Sequence, residues 1–187
     1  MAKNAKNIVI HGITGKLGNQ LVFRQKGDNT IIATKPGKRT SEPTQAELDH
    51  RLHFQEAILY GQKVNADPAL KENYKSKAGN GTSAYNVAVA DFLKAPHIDE
   101  IDVSKYTGQP GGTIRIRAID DFKVSKITVT IKATGGTTLE SGNAQEQPDS
   151  LDWLYTATKV NPGPQGTIFI IAASDIPGNV TQTTKTS

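Results

Sequence analysis

The spacing of apolar residues changes near Pro96, and that change organises the chain. Downstream of it, Ile114-Arg115-Ile116-Arg117-Ala118 and Ile127-Thr128-Val129-Thr130-Ile131-Lys132 alternate apolar with polar side chains. Successive side chains of a strand point to opposite faces, so this pattern predicts two half-buried strands. Trp153, Tyr155 and Ala157 repeat it, and Ile168 to Ala173 is apolar enough for a strand covered on both faces. Turn-forming clusters separate these runs at Gly108 to Gly112, Gly135-Gly136, Gly142-Asn143 and Asn161 to Gly166. Short strands at this spacing predict an antiparallel sandwich rather than a parallel α/β sheet.

Upstream, the period is helical. Thr44 is followed three residues later by Glu47, a capping box whose side chains satisfy two orphan backbone donors at a helix start. Leu48, Leu52, Gln55 and Leu59 then share one helical face, with Phe54 and Ile58 beside it. Asp67-Pro68 predicts a second helix, capped by Asp67 and running to about Lys77. Gly79-Asn80-Gly81 stops it, and Thr82 or Ser83 caps a third helix from Ala84 to Leu93, with Tyr85, Val89 and Phe92 as its apolar face.

The first residues carry β signals. Ile8, Val9 and Ile10 read as a short strand, and Gly12, Gly15 and Gly18 punctuate the loop that follows. Leu21-Val22-Phe23 and Ile31-Ile32-Ala33 flank Lys26-Gly27-Asp28-Asn29 and predict a hairpin, which Pro36-Gly37 ends.

Charge and composition narrow the function. The net charge of +4 is spread along the chain, concentrating only near Lys35, Lys38 and Arg39, so a dedicated nucleic-acid surface is not expected. There is no cysteine, which excludes disulfides and thiolate chemistry. Neither a signal peptide nor a membrane-spanning segment is predicted. The expectation is synthesis in the cytoplasm, with any role outside the cell reached by lysis, inside a particle, or through a dedicated machine.

Residues from about Gly112 to Thr181 resemble a bacterial immunoglobulin-like domain of the disulfide-free type. The resemblance rests on Ala118-Ile119-Asp120-Asp121-Phe122, on Asp152-Trp153-Leu154-Tyr155, and most specifically on Ala173-Ser174-Asp175-Ile176-Pro177-Gly178-Asn179-Val180. In that last segment Gly178-Asn179 suits a turn needing positive φ, and Asp175 suits the turn's backbone donors. Gly15-Lys16-Leu17-Gly18, Phe23-Arg24, Lys35-Pro36 and the helix with Arg51 and Phe54 resemble a family of small, uncharacterised bacterial proteins. The first resemblance implies a fold, the second no activity. The expected class is α+β: a β-hairpin and three-helix module over residues 1–96, then an all-β immunoglobulin-like sandwich over residues 97–187.

Candidate chemistry is sparse. Gly12-x-x-Gly15-x-x-Gly18 after a strand is the pattern of a dinucleotide loop, but that reading needs a helix from Lys16 and repeated βα units, which the pattern does not supply. Solvation on a helix accounts for His50 and His53, since neither His11 nor His97 is placed to complete a metal site. Asp120, Asp121, Asp149, Asp152 and Asp175 sit near predicted strand ends, where turn capping accounts for them without calcium. No cofactor, metal or catalytic residue is therefore assigned. The expected function is structural: a self-associating subunit of a homo-oligomer, filament or virion-type particle, with Ile8, Val9, Ile10, Leu21, Phe23 and Ile31 at the contact. The competing reading is a binding module for carbohydrate or protein, with Arg115 and Arg117 as outward-facing contact residues, and a third, a nucleotide-binding enzyme, remains only through Gly12, Gly15 and Gly18.

Overall fold

The computed structural model describes the chain except for residues 1, 5–8, 19, 36, 38–39, 80 and 149–150, with the backbone alone at residues 2–4. The protein is α+β, with three helices and three antiparallel four-stranded sheets among the described residues. It divides into two compact units, Met1–Val87 and Ala88–Ser187.

The first unit contains β1 (Ala2–Asn4), β2 (Gly15–Leu17), β3 (Leu21–Lys26), β4 (Asn29–Thr34), α1 (Gln45–Ala66) and α2 (Pro68–Ser76). Strands β3 and β4 pair across Gly27-Asp28, with Lys26 opposite Asn29 and Leu21 opposite Thr34. Their outer edges are already taken, β4 by β1 and β3 by β2, in the order β1-β4-β3-β2. Two expectations change here. Val9 and Ile10 lie in a turn rather than a strand, because the sheet recruits Gly15–Leu17 instead, while Ile8 lies outside the described residues. Gly15 opens β2, so no helix follows the glycines and the dinucleotide context is missing.

Helix α1 starts where its capping box places it. Thr44 Oγ1 accepts from the Glu47 N–H at 3.4 Å, and the Glu47 carboxylate accepts from the Thr44 N–H at 2.8 Å. It ends at Asp67, held extended (φ −97°, ψ 112°) ahead of Pro68, as the residue before a proline tends to be. Asp67 Oδ1 then accepts from the N–H groups of Ala69 and Leu70 and caps α2. The Tyr60 and Tyr74 hydroxyls meet at 2.8 Å with their rings edge to face, tying α1 to α2. The buried residues of α1 are Ala57, Gly61 and Val64, and the leucine face marked by the sequence points into solvent.

Helix α3 (Ala84–Phe92) leads into the second unit. It buries Ala84, Ala88 and Asp91, whereas the larger Tyr85, Val89 and Phe92 are half-buried, so the buried face lies one residue from the expected one.

The second unit contains β5 (His97–Asp102), β6 (Thr113–Ile119), β7 (Val124–Lys132), β8 (Thr138–Asn143), β9 (Gln145–Glu146), β10 (Asp152–Thr156), β11 (Ile168–Asp175) and β12 (Val180–Thr186). One sheet runs β5-β6-β10-β9 and the other β12-β11-β7-β8. Ile114, Ile116 and Ala118 of the first sheet and Ile127, Val129, Ile131, Phe169, Ile171 and Ala173 of the second belong to one buried cluster. Strand β11 alternates half-buried with buried residues, so its outer face, with Ile168 and Ile170, is only partly covered. This corrects the expectation of a strand covered on both faces: Thr130 and Lys132 of β7 and Thr184 and Thr186 of β12 stand opposite the outward isoleucines.

The Asn161 to Gly166 turn is closed by buried Asn161, whose amide donates to Thr167 Oγ1 at 2.7 Å and to the Tyr106 hydroxyl at 3.3 Å. Gly108 sits against it at φ +76°, where a Cβ would come within 2.7 Å of the Asn161 carbonyl oxygen. Trp153 is 6% exposed within the shared core. The lone tryptophan is expected to emit in the blue-shifted range of a buried indole and to move red on unfolding. Trp153→Ala is expected to cost about 3–5 kcal/mol in denaturant unfolding. Native emission already at the water-exposed maximum would contradict this core.

Candidate functional site

Two polar constellations in the second unit stand out. The first gathers carboxylates from three separate places in the chain. Asp91 on α3 and Asp175 at the end of β11 are 1% and 4% exposed, and Asp120 follows β6. One ligand atom from each lies within 4.8 Å of the others.

The local sequence explains how Asp175 is held. Its Oδ1 accepts from the N–H groups of Gly178 and Asn179, at 2.8 and 2.6 Å, closing the turn between β11 and β12. Gly178 occupies φ +104°, a conformation open to a residue without Cβ. The Asn179 side-chain amide then donates to Asp175 Oδ2 at 2.7 Å and toward the carbonyls of Phe92 and Lys94, at 3.1 and 3.3 Å. The two amide hydrogens of one asparagine are thus shared between the turn carboxylate and the carbonyls at the end of α3. Asp120 Oδ2 accepts from the Lys123 N–H at 3.1 Å, and its Oδ1 is buried without a hydrogen-bond partner. A shallow cleft lined by Lys94, Ala95, His97, Ile119, Asp120 and Asp121 opens beside it, where Lys94 pairs with Asp121.

Chemically, this is an all-oxygen, hard donor set, the kind that suits calcium or magnesium rather than zinc. Calcium takes six to eight oxygens. The three carboxylates would supply only part of such a shell, and those of Asp175 already serve three donors. What the contacts establish is a clasp joining the β11–β12 turn to the end of α3.

The second constellation is a charge ladder on the outer face of the β5-β6-β10-β9 sheet. Arg115 and Arg117 face outward, as the alternation predicts, and both converge on Asp152. Arg117 Nε lies 2.8 Å and Arg115 Nη1 3.3 Å from its carboxylate, and Arg115 Nη2 reaches Glu100 at 2.7 Å. The Arg117 hydrogen bond, opposed by burial and reinforced by the charges of both arginines, holds the Asp152 carboxyl below its ordinary 3.8. The hydrogen bond with Glu100 is the main cause raising Arg115. A ligand at these arginines would have to displace carboxylates already in place.

A third buried carboxylate, Glu140, accepts from the N–H and hydroxyl of Thr158, at 2.9 and 2.7 Å. Burial first, and the neighbouring Glu140 second, push the Tyr155 phenol up to about 12.

Of the aspartates marked in the sequence, Asp120 and Asp175 come together, Asp121 engages Lys94, Asp152 belongs to the ladder, and Asp149 lies outside the described residues. Asp91 escaped the sequence reading. Its signal was its being the sole charged residue in the mostly apolar Ala84–Phe92 segment. His53 lies 3.4 Å from Glu56 on the surface of α1. In the first unit, Leu21, Phe23 and Ile31 fall on paired inner strands and are half-buried, whereas Val9 is exposed and Ile10 half-buried.

No family model matches this chain, and no curated protein matches it. Among solved structures, a crystal structure described as an engineered protein is similar at 14% identity and a TM-score of 0.35. That likeness covers 58% of this chain and 30% of the other, and it carries no argument about fold or function.

Asp175→Ala is expected to lower stability by about 1–3 kcal/mol, because it strips acceptors from three donors at a partly buried turn. Asp175→Asn, which keeps one acceptor oxygen, should fall between that variant and the parent in urea unfolding. Identical midpoints for all three would show that the clasp contributes nothing. Asp152 supplies a pH test. Its folded pKa is depressed, so its contribution is complete above the unfolded value near 3.8 and is lost as pH falls through the folded value. Asp152→Asn should therefore destabilise the protein at neutral pH and flatten the loss of stability below about pH 4. Parallel stability–pH curves for variant and parent would contradict the pairing.

Proposed function

We propose that this chain is a structural assembly protein: a self-associating subunit of a homo-oligomer or larger particle, whose second unit is a displayed immunoglobulin-like sandwich. The observation that carries the proposal is the apolar surface around the sheet of the first unit. Val9, Ile13 and Leu17 are 75%, 41% and 63% exposed there. Moreover, the outer strands β1 and β2 are only three residues long. Strands this short offer little backbone for pairing and blunt edge addition, so the proposed contact is assigned to the exposed apolar side chains beside them. The contact thus moves outward from β3 and β4, whose edges are occupied, to β2 and the turn carrying Val9.

Connectivity supports the immunoglobulin-like part of the reading. The orders β5-β6-β10-β9 and β12-β11-β7-β8 correspond to strands A-B-E-D and G-F-C-C′ of that architecture. The Asp175 to Asn179 turn, which carried the sequence resemblance, joins the strands that would be F and G. In this reading the chain acts by contact, and Arg115, Arg117 and Asp152 form a structural ladder on the displayed sheet.

Light scattering across a wide dilution series tests the proposal. The full chain is expected to give a multiple of its 20.1 kDa mass at the concentrated end. Deleting residues 1–17 should lower that mass while the Trp153 melt stays cooperative. A chain that remains monomeric throughout the series would remove the assembly reading.

A further inference from the structure

Helix α1 has two apolar faces, and the protein uses only one of them internally. Ala57, Gly61 and Val64 are buried at four- and three-residue spacing. Leu48, Leu52 and Leu59 are 44%, 59% and 64% exposed. With 3.6 residues per turn, these leucines and Gln55 form a stripe roughly 180° around the helix from the buried set. The outward stripe is therefore not an edge of the internal packing.

The positions 48, 52, 55 and 59 are separated by four, three and four residues, the repeat of a coiled-coil seam. That repeat places Leu48 and Gln55 at d and Leu52 and Leu59 at a. It also fixes the flanks, with Asp49 and Glu56 at e and Arg51 and Ile58 at g. The flanking charges then select a partner and an orientation. In a parallel pair, g of one helix faces e of the following heptad on the other, which sets Arg51 against Glu56 of a second copy, twice by symmetry. In an antiparallel pair aligned on the same leucines, e faces e, and Asp49 meets Glu56 twice, like charge against like.

We infer that α1 is a self-pairing helix, through which two copies of this chain associate in parallel and in register along Leu48, Leu52 and Leu59. Gln55 would meet its own counterpart in the seam, where a polar layer penalises shifted registers. Glu56 now has His53 at 3.4 Å, with both side chains about half exposed, so that contact can yield to Arg51 of the second copy. The inference rests on the self-association reading above and names a contact separate from the sheet edges.

The full chain tests it cleanly because it contains no cysteine. Leu52→Cys is expected to cross-link into a covalent dimer under mild oxidation, as a parallel in-register seam requires. Arg51→Glu and Glu56→Arg should each weaken association about tenfold, and the double exchange should restore it. Leu52→Asp with Leu59→Asp should abolish α1 pairing while far-ultraviolet dichroism stays unchanged, since both leucines are already exposed in the protomer. Wild-type association that these changes leave intact would overturn the helix contact and leave the assembly reading standing. A wild-type chain that is monomeric at every concentration would overturn both. Antiparallel cross-linking, from cysteines at positions 48 and 59 and not from position 52, would overturn the parallel arrangement.

Discussion

The second unit is held together by a slab of interlocking aliphatic and aromatic side chains between two sheets that no disulfide joins. Ile114 and Ile116 from one sheet meet Ile127, Val129, Ile131, Phe169 and Ile171 from the other, and each strand contributes every second residue. The outer faces follow from this constraint. If Ile114 and Ile116 must point inward, Arg115 and Arg117 must point outward on the same strand, side by side and alike in charge. Asp152, opposite Arg117 on the neighbouring strand, pairs with both of them, and Glu100 supplies the second negative charge at Arg115. The ladder is thus a consequence of the core, and its dependence on pH reports on the register that the core imposes.

The ends of the sheets meet a different requirement. Backbone groups at turns and at the end of α3 are partly withdrawn from water and need partners. Asp175 and Asn179 supply them across a separation of more than eighty residues, from Asn179 to the carbonyls of Phe92 and Lys94. Asp91 and Asp120 then lie close to Asp175. Of these carboxylates, Asp175 is committed to the protein's own donors, whereas Asp91 Oδ1 and Asp120 Oδ1 are buried without a hydrogen-bond partner.

The first unit is organised differently. Its sheet is thin, its inner strands are half-buried, and its long helix buries two small residues and a valine while leaving three leucines outside. Burying apolar surface is the main favourable term in association as well as in folding. That exposed apolar surface is what the proposed assembly rests on, whereas the second unit holds a continuous buried cluster of its own.

Local chemistry in the sequence determined the helix starts, the period-two strands and the turn at Gly178. Thr44 with Glu47, Asp67 with Pro68, and the alternation through Ile114 and Ile127 each act over a few residues, so their signals are contiguous and readable. The sequence also marked Asp120 and Asp175, and it marked the leucine stripe of α1 without saying which way the stripe would face. Only the tertiary structure decided that Gly15–Leu17 edges the sheet while Val9 and Ile10 lie in a turn, that Asp152 faces both arginines, and that Asp91 joins the other carboxylates. It also decided that α1 buries Ala57, Gly61 and Val64 in place of its leucines. Those outcomes depend on pairings between distant segments. Periodicity fixes which residues share a face, but whether that face is buried depends on what the rest of the chain brings against it.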